Sequence, residues 1–179
     1  MCGPERNGLV GFAALLLLTG CAATTPSAIR QPLPDKLSVR QVQAEPERFR
    51  GRRVRWGGEI IAVENGREAS WIEVLSRPLK SGGRPKGAAP AEGRFRVRIN
   101  GFLDPAEYRT GVSLTVVGRL LGAEIRPVGK YPYRYPLVAA EAYYLWPPEQ
   151  PRPRPDPFFD PWYYPYPYGY PWGYPYPYW

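Results

Sequence analysis

There is no histidine anywhere in the 179 residues. The commonest general base, the commonest metal ligand and the one unperturbed side chain that titrates near neutral pH are therefore missing. Cysteine is almost absent too, with only Cys2 and Cys21. The longest apolar run, Leu9–Leu18, is half the roughly 20 residues that a helix needs to span a bilayer. No Ser-His-Asp or Cys-His set can be assembled. Gly82-Gly83 lacks the flanking strand and helix that would make it a phosphate cradle. The remaining carboxylate pairs have structural readings. Asp104 and Glu107, three apart, read as a helix cap and a first-turn acid, and Glu45 and Glu47 as a solvated surface. The inventory argues against an enzyme, and no cofactor or metal is expected.

What is present begins at the amino terminus. Leu9–Leu18 has the length of the apolar core of a secretory signal, and the small residues Thr19 and Gly20 follow it. Leu18-Thr19-Gly20-Cys21 resembles the bacterial lipobox. That resemblance implies a signal peptide over 1–20, cleavage between Gly20 and Cys21, diacylglycerol on the Cys21 sulfur and usually a third acyl chain on the new amino group. Each buried CH₂ contributes about 0.8 kcal/mol, and two or more chains hold stably where one does not. Ala22, rather than aspartate, follows the cysteine, which by the same resemblance directs the protein to the outer membrane. With Cys2 in the leader and Cys21 acylated, the mature chain has no thiol and no disulfide, although its compartment is oxidising.

The chain carries 24 Lys and Arg against 16 Asp and Glu, a formal net charge of +8. Such a balance often marks nucleic-acid binding, but a periplasmic address argues against that partner. Anionic lipid head groups, lipopolysaccharide or cell-wall glycan fit the compartment better. Arginine used simply as a solvated surface charge accounts for the same composition.

Residues 21–36, with Pro26, Pro32 and Pro34 and no apolar period, read as a flexible tether. A β-domain then spans 37–146. Ser38 opens a short helix to Ala44, presenting Val39 and Val42, with Phe49, to a core. Arg52–Val63 alternates as a strand interrupted at Gly57-Gly58, where a bulge or bend is expected. Asn65-Gly66 reads as a type I′ hairpin turn, followed by a strand over Glu68–Leu75. Lys80–Gly93 is a glycine- and proline-rich loop, expected to be mobile. Arg94–Ile99 places Phe95, Val97 and Ile99 on one face and Arg94, Arg96 and Arg98 on the other. The arginine face reads either as an ordinary wet sheet face or as a contact for an anionic surface. A helical turn over Asp104–Tyr108, a strand over Val112–Leu121 and a last strand over Pro136–Trp146 complete the domain. The order predicts an all-β fold with minor α: a small antiparallel OB-like barrel of five to six strands with a short N-terminal helix. A two-sheet sandwich is the alternative.

From residue 147 the composition changes. Residues 147–179 hold 12 of the 24 prolines and 13 of the 26 aromatics. Proline at nearly every second position excludes helix and interior strand, so a disordered or polyproline II tail is expected. Its aromatics, including Trp162, Trp172 and Trp179, are candidate contacts for glycan, other tails, other envelope proteins or the membrane interface, with packing back on the barrel as the alternative.

Several motifs together resemble the Slp family, the starvation-inducible outer-membrane lipoproteins of Gram-negative bacteria. They are Arg55-Trp56-Gly57-Gly58-Glu59-Ile60, Asn65-Gly66, Gly101-Phe102-Leu103-Asp104-Pro105 with Tyr108, Leu114-Thr115-Val116-Val117-Gly118 and Tyr143-Tyr144-Leu145-Trp146. The resemblance implies a lipid-anchored, stress-linked envelope protein facing the periplasm, with a structural or adaptor role. It carries no catalytic motif.

Overall fold

The computed structural model describes residues 25–149. Its elements are α1 (Ser27–Arg30), α2 (Val39–Ala44), a 3₁₀ turn (Glu47–Phe49), β1 (Arg53–Asn65), β2 (Ala69–Ser76), β3 (Arg94–Asn100), β4 (Ser113–Val128) and β5 (Tyr131–Trp146). The five strands close into a barrel in the order β1-β2-β3-β5-β4. All pairs are antiparallel except β3–β5, which run parallel. The OB-like barrel is thus the architecture, with five strands, and the sandwich is excluded.

Period-2 alternation builds the core. Val54, Trp56 and Ile60 from β1, Ile72 and Val74 from β2, Phe95 and Val97 from β3, Leu114 and Val116 from β4 and Val138 from β5 all point inward and are buried. The Trp56 ring meets Phe95 edge-on at 5.2 Å, and its Nε1 donates to the Leu37 carbonyl at 2.7 Å. Helix α2 caps the barrel with Val39 and Val42, both fully buried. Its start is held by a capping box: Gln41 N donates to Ser38 Oγ, and Ser38 N donates to the Gln41 side chain. Such a box satisfies two backbone donors that would otherwise lack partners.

Three local expectations change. First, the ladder does not shift at Gly57-Gly58; the bulge falls between Ile60 and Ala62. The two glycines instead permit close approach. A Cβ on Gly58 would stand 1.9 Å from the Leu75 carbonyl oxygen, and one on Gly57 2.7 Å from that of Leu114. Second, the β1–β2 hairpin forms, but its turn centres on Arg67-Glu68, with Gly66 N donating to the Ala69 carbonyl at 3.0 Å. Asn65 is not available as a turn residue because its side chain bridges to the β3–β4 loop. Its Nδ2 donates to the Leu103 carbonyl (2.9 Å), and its Oδ1 accepts from Leu103 N (3.2 Å). Third, β4 and β5 extend well beyond the expected ends as one long hairpin. Pro127 and Pro132 lie directly opposite each other in it, so neither proline leaves a ladder partner without a donor.

The outer face of β4 is also covered. Thr115 and Val117, which alternate with the inward Leu114 and Val116, are fully buried as well. Thr115 Oγ1 donates to the Gly83 carbonyl (2.7 Å) and accepts from Trp146 Nε1 (2.9 Å). The Lys80–Gly93 segment is therefore bonded onto the barrel, with a further bridge between Leu79 and Pro85. Asp104–Tyr108 makes the expected single turn: Asp104 Oδ1 accepts from Ala106 N at 2.8 Å, and the Asp104 carbonyl accepts from Glu107 N and Tyr108 N. Ile29, within the expected tether, is fully buried, and Arg55 Nη1 holds the carbonyls of Ile29 and Arg30 at 2.9 Å each. Within the expected tether, Ser27–Arg30 thus forms α1 and is held against β1.

Candidate functional site

The outward side chains of β2 and β3 form the strongest cluster of charge. In the β2–β3 register Trp71 faces Arg98, Glu73 faces Arg96 and Leu75 faces Arg94. The same alternation that turns Phe95, Val97 and Ile99 inward turns the three arginines outward. In OB-type barrels this face, flanked by the β1–β2 and β4–β5 hairpins, is the surface that takes oligomeric ligands.

Here the flanking hairpins close two of the arginines into ion pairs. Arg94 Nη1 lies 2.7 Å from Glu73 Oε1, and Tyr135 Oη donates to that same oxygen at 3.0 Å. Arg94 N donates to Tyr133 Oη at 2.8 Å. Arg96 is only 5% exposed. It binds Glu64 from the end of β1 at 2.6 Å and Glu124 from β4, and its guanidinium stacks 5.0 Å over the Trp71 ring. Arg126 from β4 completes the group by binding Glu64 at 2.8 Å. Of the three strand arginines, Arg98 alone has no carboxylate partner among the described residues.

The electrostatics follow from these contacts. Hydrogen bonding from Arg126 holds the Glu64 carboxyl below its usual value, burial opposes this, and the charge of Arg96 reinforces it. Arg126 is pushed up in turn, chiefly by Glu64. At Arg94 burial acts downward, but the bonds to Glu73 and Tyr135 outweigh it and the guanidinium is raised. Burial first, and then the bond to Glu73, raises the Tyr135 hydroxyl. Charges tied this way stabilise the surface. No group of three or more metal-ligating side chains occurs among the described residues.

A cleft of about 660 Å³ lies elsewhere, between the segment Pro32–Ser38 and the start of the β2–β3 connection, with Arg55, Arg77 and Glu92 in its walls. Glu64, Glu73, Glu124, Arg126 and Tyr135 carry no local signal that would place them beside these arginines; strand register and hairpin packing do so. Cys21, Gly20, Trp162, Trp172 and Trp179 lie outside the described residues.

These features define a class: a small closed β-barrel of OB-like topology with an ion-paired outer face. A family model described as the outer membrane lipoprotein Slp family matches residues 18–179, and the chain belongs to that family. It is 36% identical over 147 residues to an uncharacterized lipoprotein, YeaY, of Escherichia coli K12, covering 79% of this chain and 75% of the relative. It is 30% identical over 141 residues to the outer membrane protein Slp of the same organism, covering 78% and 74%. An uncharacterized protein of Haemophilus influenzae is 33% identical over 137 residues, covering 75% and 74%.

Proposed function

We propose that this outer-membrane lipoprotein is acylated at Cys21, faces the periplasm and serves as a non-enzymatic structural or adaptor module in envelope and starvation-stress physiology. The observation that carries the reading is the outer face itself. Arg94, Arg96, Arg126, Glu64, Glu73 and Glu124 neutralise one another, which suits a stable display surface better than a reaction centre. Labelled palmitate incorporation, with fractionation of wild type and Cys21→Ser, tests the anchor. Label on the variant, or equal membrane retention of it, refutes it. Crosslinking and pull-down from intact envelopes, comparing full-length protein with a deletion of residues 151–179, tests the adaptor role. Recovery of no envelope protein by either form counts against it.

Arg98, lacking a carboxylate partner beside Trp71, favours a second reading in which the β2–β3 face holds an anionic glycan or lipid. Converting Arg94, Arg96 and Arg98 together to glutamine, and measuring lipopolysaccharide binding across salt, separates the two. Unchanged, salt-insensitive binding removes the second.

A further inference from the structure

Three observations converge on one side of the barrel, away from the arginine face. The first is the length of chain before it. From α1 onward the polypeptide is fixed, because Ile29 is fully buried and Arg55 grips the carbonyls of Ile29 and Arg30. Only 22–26 separate Cys21 from Ser27. At about 3.3–3.6 Å per residue, those six steps reach at most about 20 Å. A folded unit the size of residues 25–147 has a radius of gyration of roughly 14 Å, hence a diameter of about 35 Å. An acyl group on Cys21 therefore keeps the α1 side at the membrane, and the opposite side cannot roll down to replace it.

The second observation is charge. The β2–β3 connection packs on α1, since a Cβ on Gly83 would stand 2.4 Å from the Ile29 carbonyl oxygen. Residues 25–38 and 77–92 together carry six basic side chains, Arg30, Lys36, Arg77, Lys80, Arg84 and Lys86, against two acidic ones, Asp35 and Glu92. Asp35 is already paired with Arg52, and Arg77 with Glu59 at 3.4 Å, so the outward positive charge is carried by the exposed Arg30, Lys36 and Lys86. The third is where the chain leaves. The Arg84 guanidinium lies 5.6 Å over the Trp146 ring and donates to the Pro147 carbonyl. Tyr144 packs edge-on to Trp146 at 4.8 Å, so two aromatic rings lie on this side, and such residues favour the head-group level of a bilayer.

We propose that the side formed by α1, Lys36, the Lys80–Lys86 loop and Trp146-Pro147 is a docking surface for anionic phospholipid. The proposal rests on the anchoring of Cys21. Short tethering, positive charge and aromatic content then act together to seat the barrel in one orientation. Basic residues near an anionic leaflet are attracted within a Debye length of about 8–10 Å, roughly half the reach of the tether, so the attraction acts over part of the range the tether allows.

The absence of other thiols from the mature chain makes the test direct. The acylated full-length protein, purified from envelopes and checked by mass spectrometry, is reconstituted into phosphatidylethanolamine vesicles containing either phosphatidylglycerol or phosphatidylcholine. One fluorophore is placed at Ser81→Cys, in the proposed surface. A second goes at Arg67→Cys in the β1–β2 turn, beyond the end of a strand run of about 26 Å from Gly57 at roughly 3.3 Å per residue. Energy transfer to a head-group acceptor is expected to be stronger from Ser81 than from Arg67 with phosphatidylglycerol. The difference is expected to shrink with phosphatidylcholine and in Lys36→Glu/Lys86→Glu, whose two sites are exposed. Equal transfer from both probes, or a difference indifferent to lipid charge and to the double variant, overturns the docking surface. Absence of acyl mass on Cys21 overturns the anchoring reading, and the proposal with it.

Discussion

Replacing Gly58 by alanine adds one methyl group where β1 is hydrogen-bonded on both sides. Gly58 pairs with Ser76 of β2 and with Leu114 of β4. The added Cβ would stand 1.9 Å from the Leu75 carbonyl oxygen and 3.0 Å from Ser76 Cα. An ordinary carbon–oxygen contact is about 3.3 Å or more, so the strands must part by about 1.4 Å. The obstacle is backbone, so no rotamer change relieves it. Overpacking costs about 1–3 kcal/mol, and parting the ladder weakens neighbouring hydrogen bonds worth about 1 kcal/mol each. The expected loss is about 3–5 kcal/mol, a large share of the roughly 5–15 kcal/mol that holds a domain folded. In urea, with a slope of about 1–3 kcal/mol per molar for a small protein, the midpoint should fall by about 2 M. Gly87→Ala is the control, because nothing lies within 4 Å of its Cβ position. It should leave the midpoint unchanged or raise it slightly through the unfolded chain. Equal midpoints for the two variants would refute the close-approach account of the Trp-Gly-Gly step.

Other outcomes follow from the outer face and the barrel's end. Arg96→Met leaves Glu64 and Glu124 facing each other beside Trp71. Breaking a buried pair costs about 3–5 kcal/mol, but both carboxylates retain solvent, so about 2 kcal/mol is expected by urea unfolding. Adding Glu124→Gln should recover part of that loss. Because the folded-state Glu64 carboxyl is depressed, its contribution is present above the unfolded value near about 4.3. It is lost as pH falls through the lower folded value. Glu64→Gln should therefore flatten the acid limb of a stability–pH profile, and an unchanged slope there would count against the ion-pair assignment. Asn65→Ala removes both bonds to Leu103, at a cost of about 1–3 kcal/mol. Hydrogen exchange should then quicken in Gly101–Leu103 and not in α2.

The elements most legible in the sequence were those whose signal is local. Ser38 ahead of Val39 and Val42 announces a helix start. The alternation of Phe95, Val97 and Ile99 with three arginines announces a strand with one dry face. Both hold in the structure. Legibility failed where a residue answers to a distant partner. Asn65-Gly66 has the local chemistry of a tight turn, yet Asn65 is claimed by Leu103, 38 residues away. Gly57-Gly58 looks like an interruption, yet it is the place where three strands come too close for a Cβ. Ile29 stands alone among prolines with no periodic companion, so nothing near it in sequence predicts its burial. Pro127 and Pro132 disguise the long hairpin because proline normally argues against a strand.

Sequence alone determined the anchor motif, the β-rich period, the family and the absence of histidine chemistry. These depend on residue type and on spacings of two to four, which a chain expresses wherever it folds. Tertiary structure alone decided what the outward arginines do. Arg94 and Arg96 look identical to Arg98 along the strand. Only barrel closure brings Glu73, Glu64 and Glu124 to the first two and leaves the third without a carboxylate. The same folding carries the β2–β3 connection across α1, where Gly83 meets the Ile29 carbonyl. Pairings across tens of residues are set by loop closure and sheet register, and no local period encodes them.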